Sequence, residues 1–150
     1  MSSHLCPALS AQAKRLVAIR FLIYTGFQSS YFIGVIGTLT YADGASVAFT
    51  SAALLLINIF VILGSFTGGS ALDAWGPRRH YFTNVFGVLV VGCVLVFFGH
   101  ATMAVLAGAA LLGFMIGYSQ VAATSYPAYL SSDPAELKAI NSVLTTLSNV

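Results

Sequence analysis

Charged side chains are scarce in this sequence. Only 7 % of its 150 residues are Asp, Glu, Lys or Arg, whereas a soluble domain usually carries about a quarter. So few charges cannot cover the surface of a soluble globule of this size. They also exclude a disordered chain and a nucleic-acid-binding protein built on a basic patch. Hydrophobic residues make up 58 % and the mean hydropathy is +0.91, so most of the chain must avoid water.

Long uncharged stretches separate the few charges. Arg20 and Asp43 are 22 uncharged residues apart, Asp43 and Asp73 are 29 apart, and Arg79 and Asp133 are 53 apart. A transmembrane helix needs roughly 20 mainly apolar residues, so the first two stretches each hold one span and the third holds two. An open sheet cannot satisfy its backbone in lipid, and the alternation typical of a barrel is missing. The pattern predicts an all-α membrane protein.

The positions of the apolar stretches predict how the chain is organised. We expect a cytoplasmic N-terminal tail over residues 1–15 and an incomplete transmembrane half-bundle over residues 16–150. The half-bundle is predicted to contain four complete helices and a truncated fifth. Their ranges are about 16–39, 47–72, 81–99, 103–125 and 134–150.

The predicted fifth helix begins with a clear start signal. Asp133 can cap free backbone amides, Pro134 fits the first helical position, and Glu136 would complete a capping box. From Leu137 to Val150 the helix is about 21 Å long at 1.5 Å per residue, whereas a bilayer core is about 30 Å thick. The chain is therefore predicted to be the front part of a longer protein.

The basic residues predict the orientation. With the N-terminus in the cytoplasm, the turns around Asp43 and His100 lie outside and hold no Lys or Arg. The positive-inside rule then favours this orientation, in the plasma (inner) membrane. All six basic residues lie on the cytoplasmic side: Lys14, Arg15, Arg20, Arg78, Arg79 and Lys138.

No arrangement of residues indicates an enzyme. His4, His80 and His100 are far apart or lie in predicted tails and loops, and no phosphate-binding loop occurs. We therefore predict no catalytic residue, cofactor or metal. Cys6 and Cys93 cannot easily meet in a disulfide, and Cys6 is either a lone cysteine or a lipid attachment site.

One charged segment carries most of the functional information. Residues 69–79 read GSALDAWGPRR and join the predicted second and third helices on the cytoplasmic side. The segment resembles the signature loop of the major facilitator superfamily, G-x-L-A-D-R-x-G-R-[KR]-[KR], which occupies the same place in that family. The matching residues are Gly69, Asp73, Gly76, Arg78 and Arg79.

Physical roles can be assigned to the residue types of this loop. Gly76 permits a tight turn, and Gly69 would let a neighbouring helix approach closely. Asp73 at a membrane edge should meet Arg78, another basic group or a helix N-terminus. The resemblance implies that the loop is a conformational latch, which Ala74 in place of the usual Arg would weaken. Pro77 also replaces an Arg, and a plain polar turn is the alternative.

A second segment is similar to bacterial permeases of the macrolide-efflux type. PAYL at 127–130, DPAELKAINS at 133–142 and Asn149 look like their connection between helices 4 and 5. In those permeases a G-P-x-x-G-G segment follows, which here would begin just past Val150. The two resemblances together span about residues 16–150, and the second implies export.

The predicted spans contain no acidic side chain. Gln28 stands where some proton-coupled exporters have a carboxylate, and the intramembrane Arg of drug–proton antiporters is missing from helix 4. An intramembrane carboxylate would be the default proton relay. If transport is proton-driven, the relay lies beyond this sequence or involves His100, for which an interfacial position is the simpler interpretation.

Polar residues inside the spans are candidates for a substrate pathway. Tyr24, Gln28 and Tyr31 follow helical spacing and share a face, opposite a stripe of small residues that would pack against a neighbouring helix. They line a cavity or make hydrogen bonds between helices. The stripe consists of Gly26, Ser30, Gly34 and Thr38.

Helices 2 and 4 add further candidates. Asn58 lies in the middle of helix 2, where it would line the cavity or bond to another helix. Tyr118 and Gln120 lie toward the cytoplasmic end of helix 4 and could line an inner vestibule. Ala109, Gly113 and Gly117 form another predicted packing stripe on this helix.

The family resemblance implies a secondary active transporter that moves a small organic solute by alternating access, in the direction of efflux. Its partners would be the lipid bilayer, a small-molecule substrate and the missing C-terminal half of the same transporter, with no nucleic acid. The alternative is a truncated, non-transporting membrane protein that acts through helix–helix interaction. A small dimeric multidrug exporter would need an intramembrane carboxylate, which the predicted spans lack.

Overall fold

The computed structural model describes residues 9–42, 44–98 and 102–148. Nearly all of these residues are helical and none of them is in a strand, which confirms the all-α prediction. Helix α1 is continued by a π-helical segment, and three further α-helices follow. They are α1 (Ala11–Ser29), the π-helical segment (Ser30–Ala42), α2 (Val47–Phe98), α3 (Thr102–Leu130) and α4 (Pro134–Ser148).

Three stretches of the described chain are long and apolar enough to cross a membrane. They are Ala11–Tyr41, Val47–Val94 and Met103–Leu130. This finding indicates a helical membrane protein. The predicted fifth membrane helix is not among them, because α4 has only 15 residues and carries a polar face.

Helix boundaries differ from the predicted ones at several points. Helix α1 begins at Ala11 rather than at residue 16, since the Ser10 hydroxyl accepts the backbone N–H of Ala13 and caps the helix there. Helix α3 runs through Pro127 to Leu130, although a connection was expected from Tyr126 onward. Pro127 is fully buried, and packing compensates for the one backbone hydrogen bond that a proline removes.

Helix α2 contains a break at the predicted turn. Gly76 has φ 75° and ψ 171°, which lies in the region that favours glycine, so its predicted role in the turn is confirmed. Pro77 follows and fits the first position of a new helix. The predicted loop Asp73–His80 is otherwise helical. We refer to 47–75 as the first half of α2 and to 77–98 as its second half.

The described residues within 26–122 form one compact unit, and those within 1–25 and 123–150 form another. In the unit of residues 26–122, the first half of α2 and α3 are parallel and their backbones touch. A Cβ atom on Gly64 would overlap the backbone of Phe114, and one on Gly117 would overlap the backbone of Val61. Gly113 meets Ile57 in the same way, which confirms the predicted packing stripe on α3 at its two glycines.

The close approach expected at Gly69 is not seen among the described residues. A Cβ atom on Gly69 would meet nothing within 4 Å, whereas one on Gly68 would lie 3.0 Å from the Cα atom of Tyr118. Gly68 follows Gly64 by four residues and so lies on the same side of the helix, while Gly69 is rotated away by about 100°. The expected close approach therefore occurs one residue earlier.

The second half of α2 returns antiparallel along α3. His80 contacts Tyr118, Asn84 contacts Ser119, and Gly87 lies against the side chain of Met115. Helix α3 thus packs against both halves of α2. The π-helical segment also contacts α2.

The other unit joins the start of α1 to α4. Ala13, Ile140 and Leu144 are buried together, with Leu9, Leu16 and Val17 packed around them. Ile140 and Leu144 are one helical turn apart, so the apolar side of α4 faces α1. The polar side of α4, with Lys138, Asn141 and Thr145, is exposed.

Hydrogen bonds at the start of α4 confirm one part of the predicted cap and correct another. Asp133 Oδ1 accepts the backbone N–H of Ala135 at 3.0 Å, and the helix starts at Pro134, as predicted. The backbone N–H of Asp133 donates to Ser131 Oγ rather than to Glu136. Glu136 Oε1 instead accepts the backbone N–H of Ser10, at 2.9 Å, and so caps α1. The predicted capping box is therefore wrong, because both of its members have other partners.

Candidate functional site

The residues of the segment 69–79 surround the break in α2. Asp73 closes the first half, and Arg78 and Arg79 open the second half on the far side of Gly76. All three charged side chains are exposed. No ion pair joins Asp73 to either arginine in the described part of the chain, so the expected contact with Arg78 is not seen. An exposed carboxylate keeps its hydration and needs no such partner.

A polar cluster is buried next to the break, between the two halves of α2 and α3. His80 is 0 % exposed, and its ring is stacked on that of Tyr118, with centroids 4.2 Å apart and planes 3° from parallel. Its imidazole N–H donates to the backbone carbonyl of Gly68. His80 therefore connects the second half of α2 to the first half and to α3.

Asn84 and Ser119 extend this cluster by one helical turn. Asn84 is 2 % exposed, and its Nδ2 donates to Ser119 Oγ at 3.3 Å. Its Oδ1 is buried and accepts no hydrogen bond from the described residues. The hydroxyl of Tyr118 is also buried and lies beside Thr83. A buried polar atom without a partner is uncommon and is a reason to look for a functional role.

An open cavity of about 540 Å³ adjoins the cluster. Its size is in the range of cavities that hold small organic molecules. The lining is mainly apolar, and several of its hydroxyl groups are already bonded to backbone carbonyls of their own helix, as Ser70 is to Phe66 and Thr83 is to Arg79. The lining residues are Phe66, Thr67, Ser70, Ala71, Ala74, Trp75, Thr83, Phe114 and Tyr118.

This cavity includes Tyr118 but not the other five predicted pathway residues. Asn58 is exposed, and its Nδ2 donates to the carbonyl of Leu54 in its own helix, at 2.8 Å. Gln120 is exposed as well. The places of these two side chains in a pathway stay predictions.

The predicted pathway residues of the first span are half-buried. Tyr24 belongs to the unit of 1–25 and 123–150, and Gln28 and Tyr31 belong to the unit of 26–122. Tyr31 makes an edge-to-face contact with Phe32, with ring centroids 5.1 Å apart. The wider π-helical turns begin at Ser30, so the α-helical spacing behind the predicted common face does not extend to Tyr31.

The packing stripe predicted opposite these residues fails at its first member. Gly26 is exposed, and a Cβ atom there would meet nothing within 4 Å. Ser30, Gly34 and Thr38 are half-buried. His100 and Cys6 lie outside the described residues.

The sequence did not single out His80 and Asn84. His80 was assigned to a short charged loop, yet it lies in the first turn of the second half of α2 and is buried. One feature of the sequence could have identified this pair: a His and an Asn four residues apart, at the start of an uncharged stretch. Among the described residues, no group of three His, Cys, Asp or Glu side chains could hold a metal ion.

No family model, curated protein or solved structure matches this chain.

Proposed function

We propose that this chain is the N-terminal part of a secondary active transporter of the major facilitator type, which exports a small organic solute by alternating access. The observation that carries the proposal is the break at Gly76. It falls inside the only segment that resembles the signature loop, and it has the backbone conformation that the glycine of a tight turn requires.

The dimensions of α2 support two membrane crossings in place of one. A continuous helix of its 52 residues would be about 78 Å long, far more than the roughly 30 Å of a bilayer core. Each half is long enough for one span of roughly 20 residues. If the chain crosses at 47–75, returns at 77–98 and crosses again in α3, the first half of α2 and α3 must run in the same direction. For the glycines of either helix, the contacts follow one another in the same order along both helices, which fits this direction. On this interpretation α4 is the beginning of a fifth helix.

The exposed charges at the break fit the proposed latch. Asp73, Arg78 and Arg79 make no ion pair with one another, so they are free to bind charged groups elsewhere in a complete transporter. Gly69 presents open space beside them. The basic pair, with the other four basic residues, favours a cytoplasmic N-terminus and this turn on the inner side of the plasma (inner) membrane.

The aromatic cavity supports the proposed substrate class. Phe66, Trp75, Phe114 and Tyr118 provide four rings, and few free polar groups reach the cavity. Such a lining favours an apolar or amphipathic organic solute. The remaining pathway candidates Tyr24, Gln28, Tyr31, Asn58 and Gln120 would line other parts of the route.

A second candidate is a non-transporting membrane protein that acts through helix–helix interaction. Large apolar side chains are exposed along α2, with Phe66 at 74 % and Phe86 at 68 %. These side chains face either lipid or further transmembrane helices. The size of the natural product separates the candidates: an N-terminal epitope tag should reveal a membrane protein several-fold heavier than 15.7 kDa if it is a transporter. A band near that mass would exclude transport by a single chain.

The transport experiment compares two glycines of the same helix. The natural protein is produced in cells that lack it, and the accumulation of a panel of amphipathic dyes is measured. We expect lower accumulation with the wild type and a loss of this difference in Gly76→Ala, since a Cβ atom strains a residue at positive φ. Gly92→Ala, where a Cβ atom meets nothing within 4 Å, should behave like the wild type. Equal activity of both variants would contradict the role of the break.

A further inference from the structure

The buried cluster at the break has a composition that the proposed latch does not explain. A latch needs the exposed charges of the turn, whereas His80, Asn84, Tyr118 and Ser119 are all buried beneath it. An ionisable residue inside a membrane protein is expensive to bury and usually has a function. Histidine is also the side chain whose charge changes most readily near neutral pH.

Three features of His80 suit it to bind a proton reversibly. Its neutral ring donates one N–H to the carbonyl of Gly68, which fixes its orientation. Its face is covered by the Tyr118 ring, and an aromatic face tolerates a cation. One helical turn further on, the buried Oδ1 of Asn84 is an acceptor that receives no hydrogen bond from the described residues. Residues four apart on a helix are neighbours, and an amide oxygen that reaches the ring would stabilise its protonated form.

We propose that His80 is a buried proton-binding site and that its titration controls the break at Gly76. This inference rests on the proposed function, because it assigns the control of the latch. When the second ring nitrogen takes a proton from water, the imidazole becomes an imidazolium with two N–H donors and one positive charge. No other bond changes.

The surroundings of His80 determine what this charge does. Tyr118 faces it from α3, and the first half of α2 presents the backbone carbonyl of Gly68. On its own helix Arg78 and Arg79 immediately precede it, and Asp73 lies across the turn, all three exposed. The π-helical segment, which also contacts α2, has no charged side chain. A proton on His80 therefore repels the two arginines and attracts Asp73, which alters the turn.

The first test follows His80 directly and needs no transported solute. The protein with ¹³C-labelled histidine is placed in lipid nanodiscs, and its histidine signals are recorded from roughly pH 4 to pH 9, around the usual histidine range. The His80 signal is the one absent from His80→Gln. We expect it to titrate with one proton, and the emission of Trp75, the single tryptophan of this sequence, to change with the same midpoint. Trp75 lines the same cavity as Tyr118 and so reports on the break.

Matched variants make the test specific. Asn84→Asp places a carboxylate one turn from His80 and should move both midpoints upward by about 1 to 3 pH units, as an opposite charge at close range does. Asn141→Asp, the same substitution on the exposed side of α4, should leave them unchanged. His4→Gln and His100→Gln should retain the Trp75 transition, whereas His80→Gln should abolish it.

The outcomes separate this inference from the proposed function. A His80 signal that does not titrate, a Trp75 transition that persists in His80→Gln, or midpoints unmoved by Asn84→Asp would each overturn the proton site. None of these results bears on solute accumulation, which is measured separately with Gly76→Ala. If His80→Gln does not fold, the comparison of Asn84→Asp with Asn141→Asp decides the question.

Discussion

At the scale of the residue, single glycines set the distance between α2 and α3. A Cβ atom on Gly117 would overlap the backbone of Val61, which cannot move without shifting its helix, whereas Gly92 faces open space. We expect Gly117→Ala to lower the free energy of unfolding by about 1–3 kcal/mol, the usual cost of overpacking. Gly92→Ala should be neutral or slightly stabilising, since alanine is the better helix former. Thermal unfolding of both variants in detergent, followed by circular dichroism, measures the difference, and equal stabilities would contradict the close contact.

The same scale shows what local rules can predict. The positive φ of Gly76, the cap of Asp133 and the start of α4 at Pro134 depend on neighbours in the chain, and the sequence predicted them correctly. The burial of His80 and Asn84 depends on what α3 places opposite them, and it was missed. Gly68 and Gly69 show that an error of one residue changes the predicted contact. A rotation of about 100° around the helix separates the backbone contact of Gly68 from the open space beside Gly69.

At the scale of the element, the carboxylate of Glu136 connects α4 to the start of α1. Hydrogen bonds from Ser10 and from the hydroxyl of Ser131 lower the pKa of Glu136 below the ordinary 4.5. A group whose pKa is lowered by folding contributes stability above its unfolded pKa, and this contribution is lost as the pH falls through the lowered value. We therefore expect the wild type to lose stability over the acid range below about pH 4.5, and Glu136→Gln to lose less.

Thermal unfolding of the two proteins as a function of pH tests this contact. Asp73→Asn is the matched control, because Asp73 is exposed and has no ion pair with the arginines of the turn. Its pH profile should follow the wild type. If Glu136→Gln has the same acid profile as the wild type, the bond to Ser10 does not connect the two helices in solution.

The existence of a helix was predictable wherever a long apolar stretch is sufficient to indicate one. Apolar stretches located the first span and α3, whereas the two helices predicted over 47–72 and 81–99 form the single helix α2 with a break at Gly76. The start of α4 was found from its capping residue and proline. The contact between α4 and α1 had no signal in the sequence, since Ser10 and Glu136 are 126 residues apart. Pairings of this kind depend on the packing of distant segments. The sequence therefore predicted which residues form helices better than it predicted which helices touch.

At the scale of the whole molecule, the number of crossings made by α2 decides the orientation of everything that follows it. If the break at Gly76 returns the chain across the bilayer, residues just before α2 and just after it lie on the same side. If α2 crossed once, they would lie on opposite sides. The positive-inside rule favours the topology in which both lie outside and the turn with Arg78 and Arg79 lies inside.

Cysteine accessibility distinguishes these two topologies. In a background with Cys6 and Cys93 replaced by Ser, we introduce Ser46→Cys before α2, Met103→Cys at the start of α3, or Ser132→Cys between α3 and α4. A membrane-impermeant maleimide should label the first two in intact cells and the third only after lysis. All three positions are at least partly accessible, so the membrane and not burial controls the labelling. Labelling of Ser46→Cys without Met103→Cys would show a single crossing. The proposed latch at Gly76 would then lie inside the bilayer, where exposed charges cannot remain.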